Sequence, residues 1–305
     1  MFDLIIVGGG PGGVAAGVYA ARKKMKTLLI TDSFGGQSLV SADVQNWIGT
    51  KSVSGFDLGK MLEEHLRAQE DIEIIDTDLV AGLKDAGDGL EISTKSGKTY
   101  ETKYLLIASG SRRKKLGVPG EHELDGKGVA YCSICDAPLF KGKAVAVVGG
   151  GNAGLEAVVD LLPYATKIYL LEYNTALRGD AVTQEKVTAN EKVTVLLEAQ
   201  TAKILGEKTV AGLEYLDRKT NGTKQLDVQG VFVEIGALPN TEFAKGLVEL
   251  NALDEIVADP KTQRTSHSRV WAVGDATDVI YKQNNISAGD AVKAVLNVYE
   301  TLNKA

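Results

Sequence analysis

The only two cysteines in the 305-residue chain stand in one C-x-x-C, Cys132-Ser-Ile-Cys135, followed at once by Asp136. This spacing brings two sulfurs into disulfide range across a single turn and lowers the pKa of one thiol. The thiolate is the attacking species in disulfide exchange. A carboxyl beside the pair can act as general acid or base if burial raises its pKa; its alternative use is as a helix cap. Cys132, Cys135 and Asp136 are therefore the candidate catalytic residues. Zinc fits poorly, because His65, His122 and His267 are scattered and no second cysteine pair completes a ligand set. No metal is expected.

Two glycine-rich fingerprints flank this centre. Gly8-Gly9-Gly10-Pro11-Gly12-Gly13 matches G-x-G-x-x-G, follows an apolar run and opens an Ala-rich stretch. Such glycines permit a tight turn and let the backbone approach a pyrophosphate seated on a helix N-terminus. An acid about twenty residues further on is expected to bond a ribose hydroxyl, and Asp32 answers to it. Gly149-Gly150-Gly151-Asn152-Ala153-Gly154 repeats the pattern, with Glu172 closing the following strand. Two fingerprints in one chain point to two dinucleotides, a flavin and a nicotinamide that exchange electrons. Glu172 would bond a ribose 2′-hydroxyl and repel a 2′-phosphate, which argues for NADH over NADPH. Arg178 lies near enough in sequence to reach a phosphate and complicates that choice.

The elements that must hold these residues read as α/β. Leu4 to Val7, Thr27 to Ile30 and Leu105 to Ala108 are short buried strands, with a helix over Gly12 to Lys24. A second helix is expected over Gly55 to Gln69, with Phe56, Leu58, Met61, Leu62 and Leu66 on one face. Glu73 to Tyr104 reads as a small antiparallel layer. The strand–helix–strand plan then recurs at Ala144 to Val148, Asn152 to Leu162 and Lys167 to Leu171. Further strands are expected at Val193 to Leu197, Val210 to Asp217, Val231 to Glu234 and Val270 to Val273, and a helix from Ala288 to Leu302. Breaker residues at Leu116-Gly-Val-Pro-Gly120 and Leu238-Pro-Asn240 mark two crossings. The reading is two Rossmann-like, three-layer domains, the second inserted into the first. An FAD-binding domain takes 1–115 and 243–305, and an NAD(P)H-binding domain with the cysteine pair takes 116–242.

Bulk properties exclude several classes. The chain is 44% hydrophobic and 24% charged, with a formal net charge of −6. The short basic run Arg112-Arg113-Lys114-Lys115 reads as a solvated loop, so nucleic acid is not an expected partner. No apolar run reaches the roughly 18 residues of a membrane span. The start lacks the marks of a signal peptide. The expected location is the reducing cytosol, where a lone C-x-x-C serves redox chemistry more often than stapling.

Taken together, these residues resemble the low-molecular-weight thioredoxin reductase family over essentially the whole chain. The resemblance rests on the fingerprints and on Gly35-Gly-Gln37, Asn46-Trp47, Ala108-Ser-Gly110, Tyr131-Cys-Ser-Ile-Cys-Asp136 and Val270-Trp-Ala-Val-Gly-Asp275. It implies FAD at Gly8, Gly10, Pro11, Gly12, Gly13, Asp32, Gly35, Gly36, Gln37, Asn46, Ser109, Gly110, Gly274, Asp275 and Gln283. It implies NAD(P)H at Gly149, Gly151, Asn152, Ala153, Gly154, Glu172 and Arg178. It implies that Asp136 protonates the departing thiolate, that the enzyme is a homodimer, and that the inserted domain turns on a hinge at the two crossings.

Two segments depart from that family. Where NADPH-using members carry an arginine cluster, this chain has Glu172-Tyr-Asn174 and keeps only Arg178. Leu171-Glu-Tyr and Gly179-Asp-Ala-Val-Thr-Gln are more similar to the reductase domain of the alkyl hydroperoxide reductase flavoprotein. Lys282-Gln-Asn284 replaces an Arg-Gln-Ala near the flavin, with Gln283 kept. The expected activity is electron transfer from NADH or NADPH, through FAD and Cys132–Cys135, to a thioredoxin- or glutaredoxin-like protein. One alternative is an NADH-dependent reductase feeding a peroxiredoxin system. Ferredoxin–NADP reductases are similar but lack the cysteine pair. A non-enzyme alternative is a redox-sensing module that holds nucleotides without turnover.

Overall fold

The computed structural model describes residues 1–41 and 44–304. The chain forms two compact units. The first comprises Met1–Val40, Val44–Arg112 and Leu238–Ala305; the second takes Arg113–Ala237.

The first unit opens with β1 (Phe2–Gly9), α1 (Pro11–Arg22) and β2 (Thr27–Phe34). Side chains of β1 alternate between two cores: Leu4 and Ile6 enter one, Ile5 and Val7 the other. A strand apolar on both faces belongs inside a covered parallel sheet, and β1 pairs in parallel with β2 on one side and β6 (Thr99–Ile107) on the other. Between these come α2 (Gly55–Arg67), β3 (Ile72–Ile75), β4 (Val80–Asp85) and β5 (Leu90–Thr94). The sheet order is β3-β2-β1-β6-β5-β4.

Two sequence expectations need correction here. The first strand after α2 does not join the antiparallel layer, because Ile72–Ile75 pairs in parallel with β2. Its apolar residues continue the doubly covered sheet, and only β4, β5 and the start of β6 run antiparallel. On α2, Leu58 and Leu66 are buried, Leu62 packs against the core, and Phe56 and Met61 are exposed. Leu58, Leu62 and Leu66 recur every fourth residue and share a stripe; the other two fall outside it. Ser54 caps this helix by accepting from the Asp57 N–H at 3.0 Å.

The chain leaves along β7 (Ser111–Arg113). The segment Leu116–Gly120 lies inside the second unit and is fastened there. The buried Glu121 carboxylate accepts from the Leu116 and Gly117 N–H groups at 2.9 and 2.7 Å and from the Tyr131 hydroxyl at 2.9 Å. The Ile204 N–H donates to Pro119 O at 2.9 Å. Glycine and proline here shape a tight loop rather than a slack one.

In the second unit come β8 (Val129–Ala130), α3 (Ser133–Asp136), β9 (Ala144–Val148), α4 (Asn152–Leu161) and β10 (Lys167–Leu171). Then follow α5 (Ala181–Thr188), β11 (Val193–Leu196), β12 (Ala199–Gly206), β13 (Val210–Asp217), β14 (Gly222–Leu226) and β15 (Gly230–Val233). The main sheet, β11-β10-β9-β15-β8, is parallel throughout, and β12-β13-β14 form an antiparallel layer. Again the central strand feeds two cores, Ala146 and Val148 one, Val145 and Val147 the other. Helix α5 has no strong apolar period, and the sequence reading missed it; it begins where Asp180 accepts from the Thr183 N–H at 2.9 Å.

The chain returns along β16 (Ala237–Pro239), which pairs with β7. Strand β17 (Val270–Ala272) adds to β6, and α6 (Asn284–Leu302) packs its buried Ala291, Ala294, Val295 and Val298 on the first unit's core. This helix starts before Ala288, at a pair of asparagines that are weak helix formers but serve as hydrogen-bonding anchors.

Candidate active site

In the second unit, Cys132 and Cys135 form a disulfide with their Cα atoms 5.4 Å apart. Cys132 is the extended N-cap of α3, and Cys135 lies within that single turn. The Asp136 N–H donates to Cys132 O at 3.1 Å, closing the turn that brings the sulfurs together. Both cysteines and Asp136 are part-exposed. Ser133 anchors the turn by donating from Oγ to Asp160 Oδ2 on α4 at 2.8 Å. Between the cysteines, Ile134 is 59% exposed, an apolar side chain beside the redox bond.

The glycine loop of the same unit lies at the end of β9. Gly149 has φ +120°, and a Cβ there would meet Glu234 O at 2.3 Å. A Cβ on Gly154 would fall 1.7 Å from Gly149 O, so helix and strand approach more closely than any side chain permits. Gly151 differs, because a Cβ on it would meet nothing within 4 Å. That open face is the space a pyrophosphate needs at the start of α4. Glu172 is buried beneath the loop. It accepts from the Gly150 N–H at 2.7 Å, from the Asn174 N–H at 2.8 Å and from Asn174 Nδ2. Burial alone would raise this carboxyl, but those donors and the Arg178 charge outweigh it and hold it below its ordinary value. The Arg178 N–H donates to Gly150 O at 2.9 Å, and its side chain is exposed. Asn152 Oδ1 accepts from the Asp180 N–H at 2.7 Å, and Ala153 is exposed on the first turn.

The first unit repeats the loop. Gly8 has φ +113°, and a Cβ there would meet Ala108 O at 2.3 Å; a Cβ on Gly13 would fall 1.8 Å from Gly8 O, whereas one on Gly10 would find only Gly36 Cα, at 3.9 Å. Pro11 is the first helical residue, where its missing N–H costs nothing, and Gly12 packs against Ser287. Around this loop other predicted residues converge. Gly35 and Gly36 both adopt positive φ, and the Gly35 N–H donates to Gly9 O at 3.0 Å. Gln37 Nε2 donates to Asp275 Oδ2 at 3.0 Å and to Ser111 Oγ at 2.9 Å. Asn46 Nδ2 donates to Gln283 Oε1 at 3.3 Å. Ser109 Oγ donates to Asn240 O at 2.6 Å, Gly110 adopts φ +64°, and a Cβ on Gly274 would strike Ser287 Oγ at 2.4 Å. Lys282 turns to Glu255, at 2.9 Å. This set of open glycine faces and convergent amides fits an FAD pyrophosphate and ribityl chain.

Asp32 stands apart from that set. It is exposed and accepts from its neighbour Ser33 Oγ at 3.2 Å. Strand register shows why: Val7 pairs with Ile30 and Val148 with Leu171, so Thr31 occupies the place that Glu172 takes in the second unit. Thr31 Oγ1 lies 2.8 Å from where a Gly9 Cβ would be. Ser111, Asn240 and Asn284 also join the first site, Asn284 by donating to Ser38 Oγ at 2.8 Å. Sequence reasoning missed them because none belongs to a local motif; each is brought in from a distant segment. The histidines lie apart: His65 is on α2, and His267 meets Asp85 at 3.2 Å.

Two glycine cradles of dinucleotide-binding type and a disulfide one turn wide thus stand in the one chain. The chain belongs to the pyridine nucleotide-disulphide oxidoreductase family, which it matches over residues 2–293. It is 43% identical over 305 residues to an alkyl hydroperoxide reductase subunit from Pseudomonas aeruginosa, covering 99% of this chain and 58% of that protein. It is 40% identical over 301 residues to an NADH dehydrogenase of Bacillus subtilis, covering 99% of this chain and 58% of that one. The chain thus spans little more than half the length of these relatives. Thioredoxin reductase from Streptococcus pyogenes matches its fold with a TM-score of 0.89 at 30% identity, over 100% of this chain and 99% of that one. Among the described residues no helix is long and apolar enough to cross a membrane.

Proposed function

We propose that the chain is an FAD-dependent disulfide reductase of the cytosol, acting as a homodimer. In this reading it takes electrons from NADH in preference to NADPH and passes them through Cys132–Cys135 to a small thioredoxin- or glutaredoxin-like protein. The observation that carries the reading is the formed disulfide on a one-turn helix, in a chain that also holds two matched glycine cradles. FAD, when bound, supplies the exchange between hydride donor and dithiol. Gly8, Gly10, Gly13, Gly35, Gly36, Gln37, Ser109, Gly110, Gly274 and Asp275 would hold it, with Asn46 and Gln283 as a fastened pair beside them. Gly149, Gly151, Asn152, Ala153 and Gly154 would receive the nicotinamide dinucleotide. Glu172, held ionised, disfavours a 2′-phosphate.

Reduction of the Cys132–Cys135 bond takes an electron pair and a proton for each sulfur. Asp136 is assigned the proton for the departing sulfur, and the exposed thiolate then attacks the partner's disulfide. A second reading, that the natural acceptor belongs to a peroxiredoxin system, is favoured by the 43% identity to the hydroperoxide reductase protein of Pseudomonas aeruginosa. Anaerobic mixing of the purified protein with NADH and, separately, NADPH tests the donor. Flavin absorbance should bleach much faster with NADH; equal or faster bleaching with NADPH refutes the Glu172 assignment. Turnover with thioredoxin, against turnover with a peroxiredoxin and its carrier, separates the two acceptors.

A further inference from the structure

Glu234 is a buried carboxyl that the cycle above does not use. It is 8% exposed and follows directly on β15, the strand that lies between β9, which ends in the glycine loop, and β8, which leads to Cys132. Its N–H donates to Val148 O at 2.8 Å, and its carbonyl is the atom against which Gly149 is pressed. β15 runs parallel to β8 with Phe232 opposite Ala130, and two residues further along each strand come Glu234 and Cys132. Ser133 is tied to Asp160.

The scaffold does not require an acid there. In the first unit the equivalent residue, whose carbonyl a Cβ on Gly8 would meet at the same 2.3 Å, is Ala108. The residues two further on, Gly110 and Gly236, both adopt positive φ, so the two turns match. Glu234 is thus an addition to a turn that works without it, and it appears only in the unit that carries the disulfide.

We propose that Glu234 is a positioning residue for the redox centre, whose charge controls how readily the reduced Cys132/Cys135 pair forms its thiolate. Reduction breaks the S–S bond, places an electron pair on the sulfurs and takes up a proton at each; loss of one proton then gives the attacking thiolate. Glu234 neither gives nor takes an electron. When neutral it leaves the thiolate undisturbed; when ionised it adds a negative charge against the same turn and disfavours it. Burial pushes this carboxyl up to about 7, opposed by the Arg113 charge and reinforced by Asp160 and Glu156 on α4. The Ser133 N–H acts in the same direction as the Arg113 charge, favouring the ionised carboxyl. Carboxyl and dithiol then titrate as a coupled pair, which flattens the pH dependence of the thiolate population around neutrality.

This inference rests on the reading of Cys132–Cys135 as a redox pair, and its test is independent of nicotinamide, flavin turnover and partner. The full-length holoprotein is reduced with dithiothreitol, freed of it anaerobically, and alkylated with iodoacetamide from pH 5.5 to 8.5. Glu234→Gln should alkylate about three- to tenfold faster than the unaltered protein at pH 8, a thiol shift approaching one pKa unit. The two should coincide at pH 5.5, where the native carboxyl is neutral. Glu234→Ala, which copies the residue the first unit carries at this turn, should behave like Glu234→Gln. Asp160→Asn, which removes a charge that raises Glu234, should move the crossover to lower pH. Superimposable profiles for all variants, or a ratio independent of pH, overturn the proposal. Failure of NADH to bleach the flavin, with the alkylation crossover intact, overturns only the proposed function.

Discussion

The two glycine loops share a backbone and differ in what surrounds them. In both, the first glycine rests on a neighbouring strand's carbonyl, the last on the first, and the middle one faces open space. Around the loop of the first unit, amides and hydroxyls from four separate stretches interlock: Gln37 with Asp275 and Ser111, Asn46 with Gln283, Asn284 with Ser38. Around the loop of the second unit one buried carboxylate, Glu172, does most of the fastening, and the middle glycine stays open. The lesson is that one scaffold can be fitted to retain a group or to exchange it. Many pre-set anchors lower the ordering cost of binding and favour a resident ligand; a sparse site releases more readily. Under the proposed function, the first suits a permanently held FAD and the second a nicotinamide that must leave each turnover.

Substitutions in each unit test this contrast. The largest expected effect is at the feature found in only one unit: Cys135→Ser should lower protein-disulfide reduction by about 1,000-fold or more while leaving NADH-driven flavin bleaching intact. Retained reduction of a protein disulfide would remove the dithiol from the pathway. Next is stability. Glu234 has its pKa raised in the folded state, from an ordinary 4.5 to about 7. The folded protein therefore binds more protons than the unfolded chain in that window, and stability falls as pH rises through it. Glu234→Gln should abolish that fall and gain about 3 kcal/mol at pH 8 relative to the unaltered protein, read by urea unfolding at pH 5 and 8. An unchanged difference between the two pH values would contradict it.

The paired substitutions Gly13→Ala and Gly154→Ala test the two loops against each other. Each places a methyl inside 2 Å of a carbonyl oxygen. Gly13→Ala should yield protein that loses its flavin on gel filtration, whereas Gly154→Ala should keep the flavin and bind NADH about 100-fold more weakly by titration. If both lose flavin, the assignment of one ligand to each unit is wrong. The smallest effect is at Glu172→Gln, which keeps the shape and removes the charge. The ratio of kcat/KM for NADH over NADPH should narrow about tenfold.

Much of this arrangement was legible in the sequence because its signals are local. Both fingerprints, the C-x-x-C and the runs Leu4–Val7 and Ala144–Val148 carry strand, turn and helix within a few residues of one another. What failed depended on distance. Ile72–Ile75 looked like a hairpin strand because its partner, β2, is remote in sequence. Ser111, Asn240 and Asn284 have no motif of their own and gain a role only when the fold gathers them. Thr31 and Asp32 could not be ranked without the register that aligns Ile30 with Val7. Glu234 read as the last residue of an apolar strand; its burial alongside the strand that leads to Cys132 appears only in three dimensions.

The hydrogen bonds of Glu172 bear on any attempt to re-engineer the coenzyme. The side chain expected to discriminate against a 2′-phosphate also holds up the floor of the loop, through Gly150, and anchors the bend at Asn174. Exchanging it for a cation to admit the phosphorylated coenzyme would leave those N–H groups without their acceptor. A switch of preference at this position is therefore a problem of several coordinated residues, and a single replacement would pair a new selectivity with a weakened binding loop.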